Sequence, residues 1–324
     1  MISTKHESWE GVLYKKDNVD SIICGNTLDV LRTMPDESID CCITSPPYWG
    51  LRDYGIDSQL GLEPTFQLYI EHLLEIFDQV HRVLKKTGTC WVNLGDTYAG
   101  SWGHSGHRPE RTGIVGHHYV REGHPKFNPP SSRVQSVQAK ALCNIPFHFA
   151  IGMTDHKWIE RNCIIWHKPS CMPSSAKDRF TVDFEYVFFF VKSKKYWFEQ
   201  QFEANVDSYE KAKVKHGATK KYIGTPLERN CCEGDRYNPN GRNRRAVWRI
   251  NPQPFKDAHF AVFPEKLVEP MILAGCPLEG TVLDPFAGSG TTCLVARKLG
   301  RHYIGIDLNP NYCDMANKRL AEVL

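Results

Sequence analysis

The residues whose types and spacing can do chemistry begin at Thr44-Ser45-Pro46-Pro47-Tyr48-Trp49. Proline restricts the backbone and has no N–H, so the carbonyls around Pro46 lack local donors and stay available as acceptors. The Ser45 hydroxyl and the Pro46 carbonyl can then both accept hydrogen bonds from one amino group, while Tyr48 stacks on the ring that bears it. An aromatic amine is a poor nucleophile because its lone pair is delocalised into the ring. Two acceptors that draw its hydrogens out of conjugation favour a tetrahedral nitrogen, and alignment with an electrophile supplies much of the remaining acceleration. No covalent intermediate and no cysteine nucleophile is needed. Taken alone, the same residues describe an ordinary turn.

A second stretch gives the first its meaning. Thr281 to Thr292 contains Asp284-Pro285-Phe286-Ala287-Gly288-Ser289-Gly290-Thr291-Thr292, a strand running into a glycine turn and then a helix. Gly288 and Gly290 let the backbone approach a ligand, and the helix start at Thr291 offers free N–H groups to an anion. Asp307 ends the next strand at about the 20-residue offset of a carboxylate that grips ribose hydroxyls. No Lys follows Gly290, and Cys293 stands where a dinucleotide fingerprint has its third glycine, so ATP and NAD are disfavoured. A carboxylate at the helix start and an ammonium at Asp284 together describe the methionine end of S-adenosylmethionine, with adenosine at the other end.

The elements that must position these motifs follow from periodicity. Short strands are expected at Asp20 to Cys24, Ile39 to Thr44 and Thr89 to Leu94, with a helix from Thr27 to Met34 capped by Thr27. Phe66, Tyr69, Ile70, Leu73, Leu74, Phe77, Val80 and Leu84 recur at helical spacing, which predicts a helix from Thr65 to Lys86 closed by Gly88. Further on, a helix from Ile145 to Met153 precedes strands at Trp158 to Trp166 and Phe184 to Val191. The second is apolar on both faces and therefore central. Lys194 to Phe198 is expected to return as a hairpin. After Phe263, helix (Glu265 to Ala274), strand (Thr281 to Leu283), helix (Thr291 to Leu299), strand (Tyr303 to Ile306) and a helix from Pro310 predict an α/β fold with a doubly wound, mostly parallel sheet.

The stretch from Thr97 to Gln138 is rich in Gly, His and Pro without period, as expected of a long loop over a site. Its His104, His107, His117, His118 and His124 lack the paired Cys or His-Glu-x-x-His spacing of a metal site, so no metal is expected. Twelve scattered cysteines without a Cys-x-x-Cys pair, no secretory leader and no long apolar run point to a reduced, cytoplasmic chain. Net charge is only +3, yet Lys192 to Arg249 holds 14 Lys and Arg against 7 Asp and Glu. Such a stretch suits a polyanion or a solvated loop equally well on charge alone.

With these residues in place, the sequence resembles the amino-methylating DNA methyltransferases of the β arrangement, in which the catalytic motif precedes the target-recognition region and the cofactor motif comes last. The resemblance spans nearly the whole chain, through Ile22 to Leu31, Thr44 to Gly55, Ile164 to Pro169, Ala258 to Leu267 and Asp284 to Thr292. It implies the S-adenosylmethionine-dependent methyltransferase fold in permuted order. Residues 1–198 would form the catalytic half, with a mobile loop at 97–138. Residues 199–247 would be the target-recognition region and 248–324 the cofactor-binding half. By the same resemblance Ser45, Pro46, Pro47 and Tyr48 hold a flipped-out base, Gly288 and Gly290 border the cofactor, and Asp307 holds its ribose. The segment containing His259, Phe263 and Pro264 covers the methionine moiety.

Asn26 departs from the aspartate common at its position, though its amide oxygen can still accept from the adenine amino group. Lys220, Lys221, Arg242, Arg244 and Arg245 fall in the target-recognition region, where basic side chains mostly contact phosphates of double-stranded DNA. The target base must leave the stack before transfer. Serine at the head of Pro-Pro-Tyr is, within the family, more usual for cytosine N4 than for adenine N6. Cytosine-N4 methylation is therefore the leading expectation. Adenine N6, an RNA or protein-amide substrate, and a DNA-binding module without catalysis stand as alternatives. A homodimer and a cognate restriction endonuclease are compatible partners.

Overall fold

Two strands are buried almost without interruption, Ile39–Thr44 (β2) and the second half of Leu84–Leu94 (β3), and only a sheet covered on both faces can bury such runs. The computed structural model describes residues 14–15, 18–51, 53–56, 58–99, 137–204, 240–253 and 263–323. Besides β2 and β3 the sheet contains β1 (Ser21–Cys24), β4 (Ile159–His167), β5 (Phe184–Val191), β8 (Val247–Arg249), β9 (Thr281–Asp284) and β10 (His302–Asp307), in the order β1-β10-β9-β2-β3-β5-β4-β8. β5 is antiparallel to both its neighbours, and every other pairing is parallel. The α/β, mostly parallel expectation thus holds, and β5 lies inside the sheet as its two apolar faces require.

Helices α1 (Thr27–Thr33), α2 (Phe66–Val83) and α3 (Ile145–Asp155) pack on one face, and α4 (Glu265–Gly275) and α5 (Thr291–Lys298) on the other. The side-chain period of two divides the core accordingly. Cys42, Cys90, Val92, Phe188 and Phe190 belong to the first cluster, while Cys41, Ile43, Trp91, Val187 and Phe189 belong to the second. A last helix, α6 (Pro310–Ala321), follows β10.

Three local expectations give way. The cap of α1 is Asn26, whose side chain accepts from Leu28 N and Asp29 N; the Thr27 hydroxyl instead donates to Pro285 O at 2.7 Å. Helix α2 ends at Val83, and Gly88 is a strand residue whose added Cβ would lie 2.5 Å from the Leu84 side chain. No strand forms at 194–198, where Trp197 N donates to Thr87 O. Among the described residues no helix is long and apolar enough to cross a membrane.

The chain divides into two compact units, 1–198 with 246–324, and 199–245. In the described part of the second, β6 (Phe202–Glu203) pairs antiparallel with β7 (Arg242–Asn243), and Arg242 Nε meets Glu203 Oε1 at 2.7 Å. Most of the stretch from 97 to 138, expected as a long loop and holding the five histidines, lies outside the described residues.

Candidate active site

In an open parallel sheet, ligands bind beyond the carboxyl ends of the strands where the chain order switches direction. Here that point falls between β9 and β2, which pair directly (Cys41 with Val282, Cys42 with Leu283), so both sequence motifs leave the sheet side by side. Thr44 Oγ1 donates to Asp284 Oδ1 at 2.6 Å across the gap.

The diproline corner is held from below. Trp49, 1% exposed, donates its Nε1 to Glu63 O at 2.9 Å. Gly61, at φ +95°, lies so close that a Cβ would sit 2.9 Å from Tyr48 O. The Tyr69 hydroxyl donates to Pro47 O at 2.8 Å, whereas among the described residues no donor reaches Pro46 O. Asn93 Oδ1 accepts from Ser45 Oγ at 3.3 Å, and its Nδ2 donates to Tyr186 O at 3.0 Å, which fixes the amide's orientation. With its hydrogen directed at Asn93, Ser45 keeps its oxygen lone pairs for an incoming donor.

Tyr48 is equally constrained. Its hydroxyl donates to Glu185 Oε2 at 2.7 Å and lies 3.1 Å from Asn93 Oδ1. One edge of its ring rests on Gly95, whose added Cβ would lie 2.6 Å from Cε2. Burial, reinforced by the neighbouring Glu185 charge, pushes the phenol well above its ordinary pKa, so Tyr48 stays a neutral donor. Glu185 also binds Lys168, whose ammonium stands 4.3 Å from the centre of the Trp166 ring.

On the other side of the switch, Asp284 is 3% exposed, and its Oδ1 also accepts from Phe286 N at 3.1 Å. Burial pushes its carboxyl up to about 6 against these stabilising bonds. Gly288, at φ +51°, has open space where a Cβ would stand, and donates its N–H to Asp307 Oδ2 at 2.8 Å. Asn309 N holds Asp307 Oδ1 at 2.8 Å, and burial raises this carboxyl too. Each Asp307 oxygen retains acceptor capacity for a hydroxyl. The side chains of Ser289 and Thr291 accept from Arg319 Nη1 at 3.0 Å each.

One cavity of about 520 Å³ runs from Ser45 and Tyr48 to Asp307 and Tyr312. All four predicted catalytic residues line it, as do the described predicted cofactor residues, with three exceptions. Gly290 faces α6, where a Cβ would meet Ala316 Cβ at 2.7 Å, so helix packing rather than ligand approach demands glycine there. Pro285 is buried and offers its carbonyl to Thr27. Pro264 is the N-cap of α4, beside the cavity-lining Phe263. Asn26 lines the cavity, but the oxygen expected to take a ligand amine caps α1 instead. His259, Lys220 and Lys221 lie outside the described residues. Arg242 and Arg245 both face Glu203, and Arg244 N donates to Gln201 O, within the second unit.

The residues present fit a ligand that carries adenosine at one end and an amino acid at the other. The start of α5 leaves N–H groups without helical acceptors. Thr292 is 1% exposed, and its hydroxyl, directed toward Asp284, makes no hydrogen bond of normal geometry with a protein group.

Sequence reasoning missed Asn93, Lys168 and Glu185. Each carried a signal: Lys168 lies in the Ile164 to Pro169 stretch of the family resemblance, Asn93 is the polar residue in the buried run Cys90 to Leu94, and Glu185 the charged one in the apolar strand Phe184 to Val191.

The model of a DNA methylase family, named for N6 and N4 methyltransferases, matches residues 39–318. The chain is 38% identical over 297 residues to the type II methyltransferase M.Cfr9I of Citrobacter freundii, a match that covers 91% of this chain and 86% of that one. Among solved structures, the PvuII DNA methyltransferase, described as cytosine-N4-specific, superposes with a TM-score of 0.59 at 20% identity, over 92% of this chain and 85% of that one. A DNA modification methylase of Thermus thermophilus, solved with S-adenosyl-L-methionine, gives 0.54 at 20% identity over 93% and 95%. The two structures share the fold. A diproline corner set beside a glycine turn, and a family match over most of the length, lead to one conclusion: the chain belongs to the N6/N4 DNA methylase family.

Proposed function

We propose that the chain transfers a methyl group from S-adenosylmethionine to the N4 amino group of a cytosine extruded from double-stranded DNA. The observation that carries this reading is a single cavity in which the Ser45–Pro46 acceptors and the Gly288 turn stand at adjacent strand ends.

When bound, S-adenosylmethionine supplies a methyl group made electrophilic by its sulfonium. The protein's part is to present the nitrogen. Ser45 Oγ, polarised toward Asn93, and the unclaimed Pro46 carbonyl accept the two amino hydrogens and draw the lone pair out of the ring. Tyr48, pinned by Glu185 and backed by Gly95, offers a fixed face on which the base stacks. Once the N–C bond forms, the nitrogen is a strong acid and releases one hydrogen as a proton through its oxygen partner to water, so no stronger base is required. Within the family that the sequence resembles, serine at the head of Pro-Pro-Tyr is more usual for cytosine N4 than for adenine N6.

Residues 199–247 would recognise the site, with Lys220, Lys221, Arg242, Arg244 and Arg245 directed to phosphates. Residues 1–198 and 248–324 would supply the catalytic and cofactor halves. Similarity to type II methyltransferases makes a cognate restriction endonuclease the expected partner system.

Incubation with duplex DNA and S-adenosylmethionine, followed by hydrolysis and mass spectrometry of nucleosides, is expected to give N4-methylcytosine. A product that holds N6-methyladenine alone would overturn the cytosine reading. Ser45→Ala is expected to abolish transfer, and retained transfer would remove the acceptor role given to Ser45.

A further inference from the structure

The turn that borders the cofactor is gripped from outside the cavity by a cation that the methyl-transfer step does not use. Gly290 lets α6 come so close that an added Cβ would lie 2.7 Å from Ala316 Cβ, and three residues further along that helix Arg319 reaches the turn. Its Nη1 lies 2.6 Å from Ser289 O and 3.0 Å from each of the Ser289 and Thr291 hydroxyl oxygens. Ser289 and Thr291 line the cavity and Arg319 does not, so the guanidinium acts there only through them. Burial pulls its pKa down, but the nearby Glu265 and Glu322 charges oppose this, and a guanidinium stays protonated.

A guanidinium has donors and no acceptor, so each hydroxyl must offer it a lone pair and turn its own hydrogen elsewhere. Among the described residues no protein group accepts either hydrogen, and Thr291 is only 3% exposed. The cavity is the outlet that remains. We propose that Arg319 is a positioning residue that turns the Ser289 and Thr291 hydroxyls into donors for the carboxylate at the amino-acid end of S-adenosylmethionine. The proposal rests on the reading of the glycine turn as the cofactor site. Backbone N–H groups at the start of α5 add donors at the same corner. An ammonium placed there would meet these donors with a cation behind them, whereas the buried Asp284 carboxyl offers it a counter-charge. The Arg319 contact therefore also decides which way round the amino acid lies.

The test uses the full chain without DNA and titrates two ligands by calorimetry: S-adenosylhomocysteine, and its decarboxylated analogue, which keeps the adenosine, the sulfur and the amine. Wild-type protein is expected to bind the first more tightly. Arg319→Met should weaken S-adenosylhomocysteine by about 30-fold, as for loss of charge-assisted hydrogen bonds, and leave the analogue within about threefold. Arg319→Lys, which keeps a cationic donor, should recover part of the lost affinity. Ser289→Ala with Thr291→Val removes the hydroxyls themselves and should give a similar selective loss, to which Arg319→Met adds little.

An equal fall for both ligands would overturn the proposal and reduce Arg319 to a support for the packing of α6. Additive losses in the triple variant, or no recovery with lysine, would do the same. Wild-type protein that binds both ligands alike would also overturn it, since the carboxylate would then lie elsewhere. Failure of the cofactor reading is separately visible, because wild-type protein would then bind neither ligand. Thermal unfolding is measured on each variant, and should Arg319→Met unfold, the milder lysine variant still decides by whether its loss is confined to the ligand with the carboxylate.

Discussion

Thr44 Oγ1 and Asp284 Oδ1 meet at 2.6 Å, so the ends of β2 and β9 are joined side chain to side chain where the diproline corner and the glycine turn begin. Both residues are buried, and the bond ties the strand that carries the acceptors to the strand that carries the cofactor turn. Thr44→Val keeps the shape and removes the donor, which leaves a buried carboxyl oxygen with one fewer partner. The expected cost is about 2 kcal/mol in urea unfolding, with a fall in methyl transfer. Unchanged stability would show that the bond contributes nothing to holding the two motifs together.

The same carboxyl gives the fold a pH dependence. Burial lifts Asp284 to about 6, above its value in an unfolded chain, so the folded state favours the protonated form. Its contribution is full in acid and is lost as pH rises through about 6, a change of about 3 kcal/mol. Asp307, also raised by burial, acts in the same direction. Asp284→Asn, which mimics the neutral acid, is expected to be more stable than wild type at pH 8 and to lose that advantage at pH 4. Urea unfolding at the two pH values decides. A ligand cation beside Asp284 favours the charged form, so S-adenosylmethionine affinity of the wild type should weaken as pH falls below about 6.

Much of this arrangement was legible because local pattern and local burial agree. Ile39 to Thr44 reads as a buried strand and is one, and the alternation after Phe263 delivers α4 through α6 within a residue or two. Errors fall where a contact distant in sequence decides. Leu84 to Lys86 continues the helical period of α2, yet Ser38 N bonds Val83 O and Ile39 pairs with Leu84, which draws the chain into β3. Gly290 looks like a ligand-binding glycine until Ala316 on α6 is seen against it. The Asn93–Tyr48–Glu185–Lys168 network joins β3, the corner after β2, β5 and the residue just past β4, and only the sheet order brings these residues together.

The two turn glycines should fail in different ways. Gly290→Ala places a methyl 2.7 Å from Ala316 Cβ at a positive φ, and should destabilise the fold by about 2 kcal/mol. Gly288→Ala meets open space, so its cost to the fold is the backbone term alone, about 1 kcal/mol. Its methyl enters the cavity, however, and S-adenosylmethionine affinity should drop. Thermal unfolding and calorimetric titration of both variants separate the two roles, and identical behaviour would contradict the assignment.

Tyr48 offers two separable contributions, a ring and a hydroxyl. Tyr48→Phe keeps the stacking face but leaves Glu185 with one donor fewer in a half-buried site, so the ring loses its anchor and kcat/KM should fall about tenfold. Tyr48→Ala removes the face itself. Base–aromatic stacking contributes about 1–3 kcal/mol by alanine substitution, so this variant should fall further, with the added loss mostly in KM for DNA. Because Tyr48 bonds Glu185 rather than the diproline carbonyls, neither change should alter S-adenosylmethionine affinity. Titration of the cofactor without DNA measures this directly, and a weakened cofactor in Tyr48→Phe would place the tyrosine in the wrong half of the cavity.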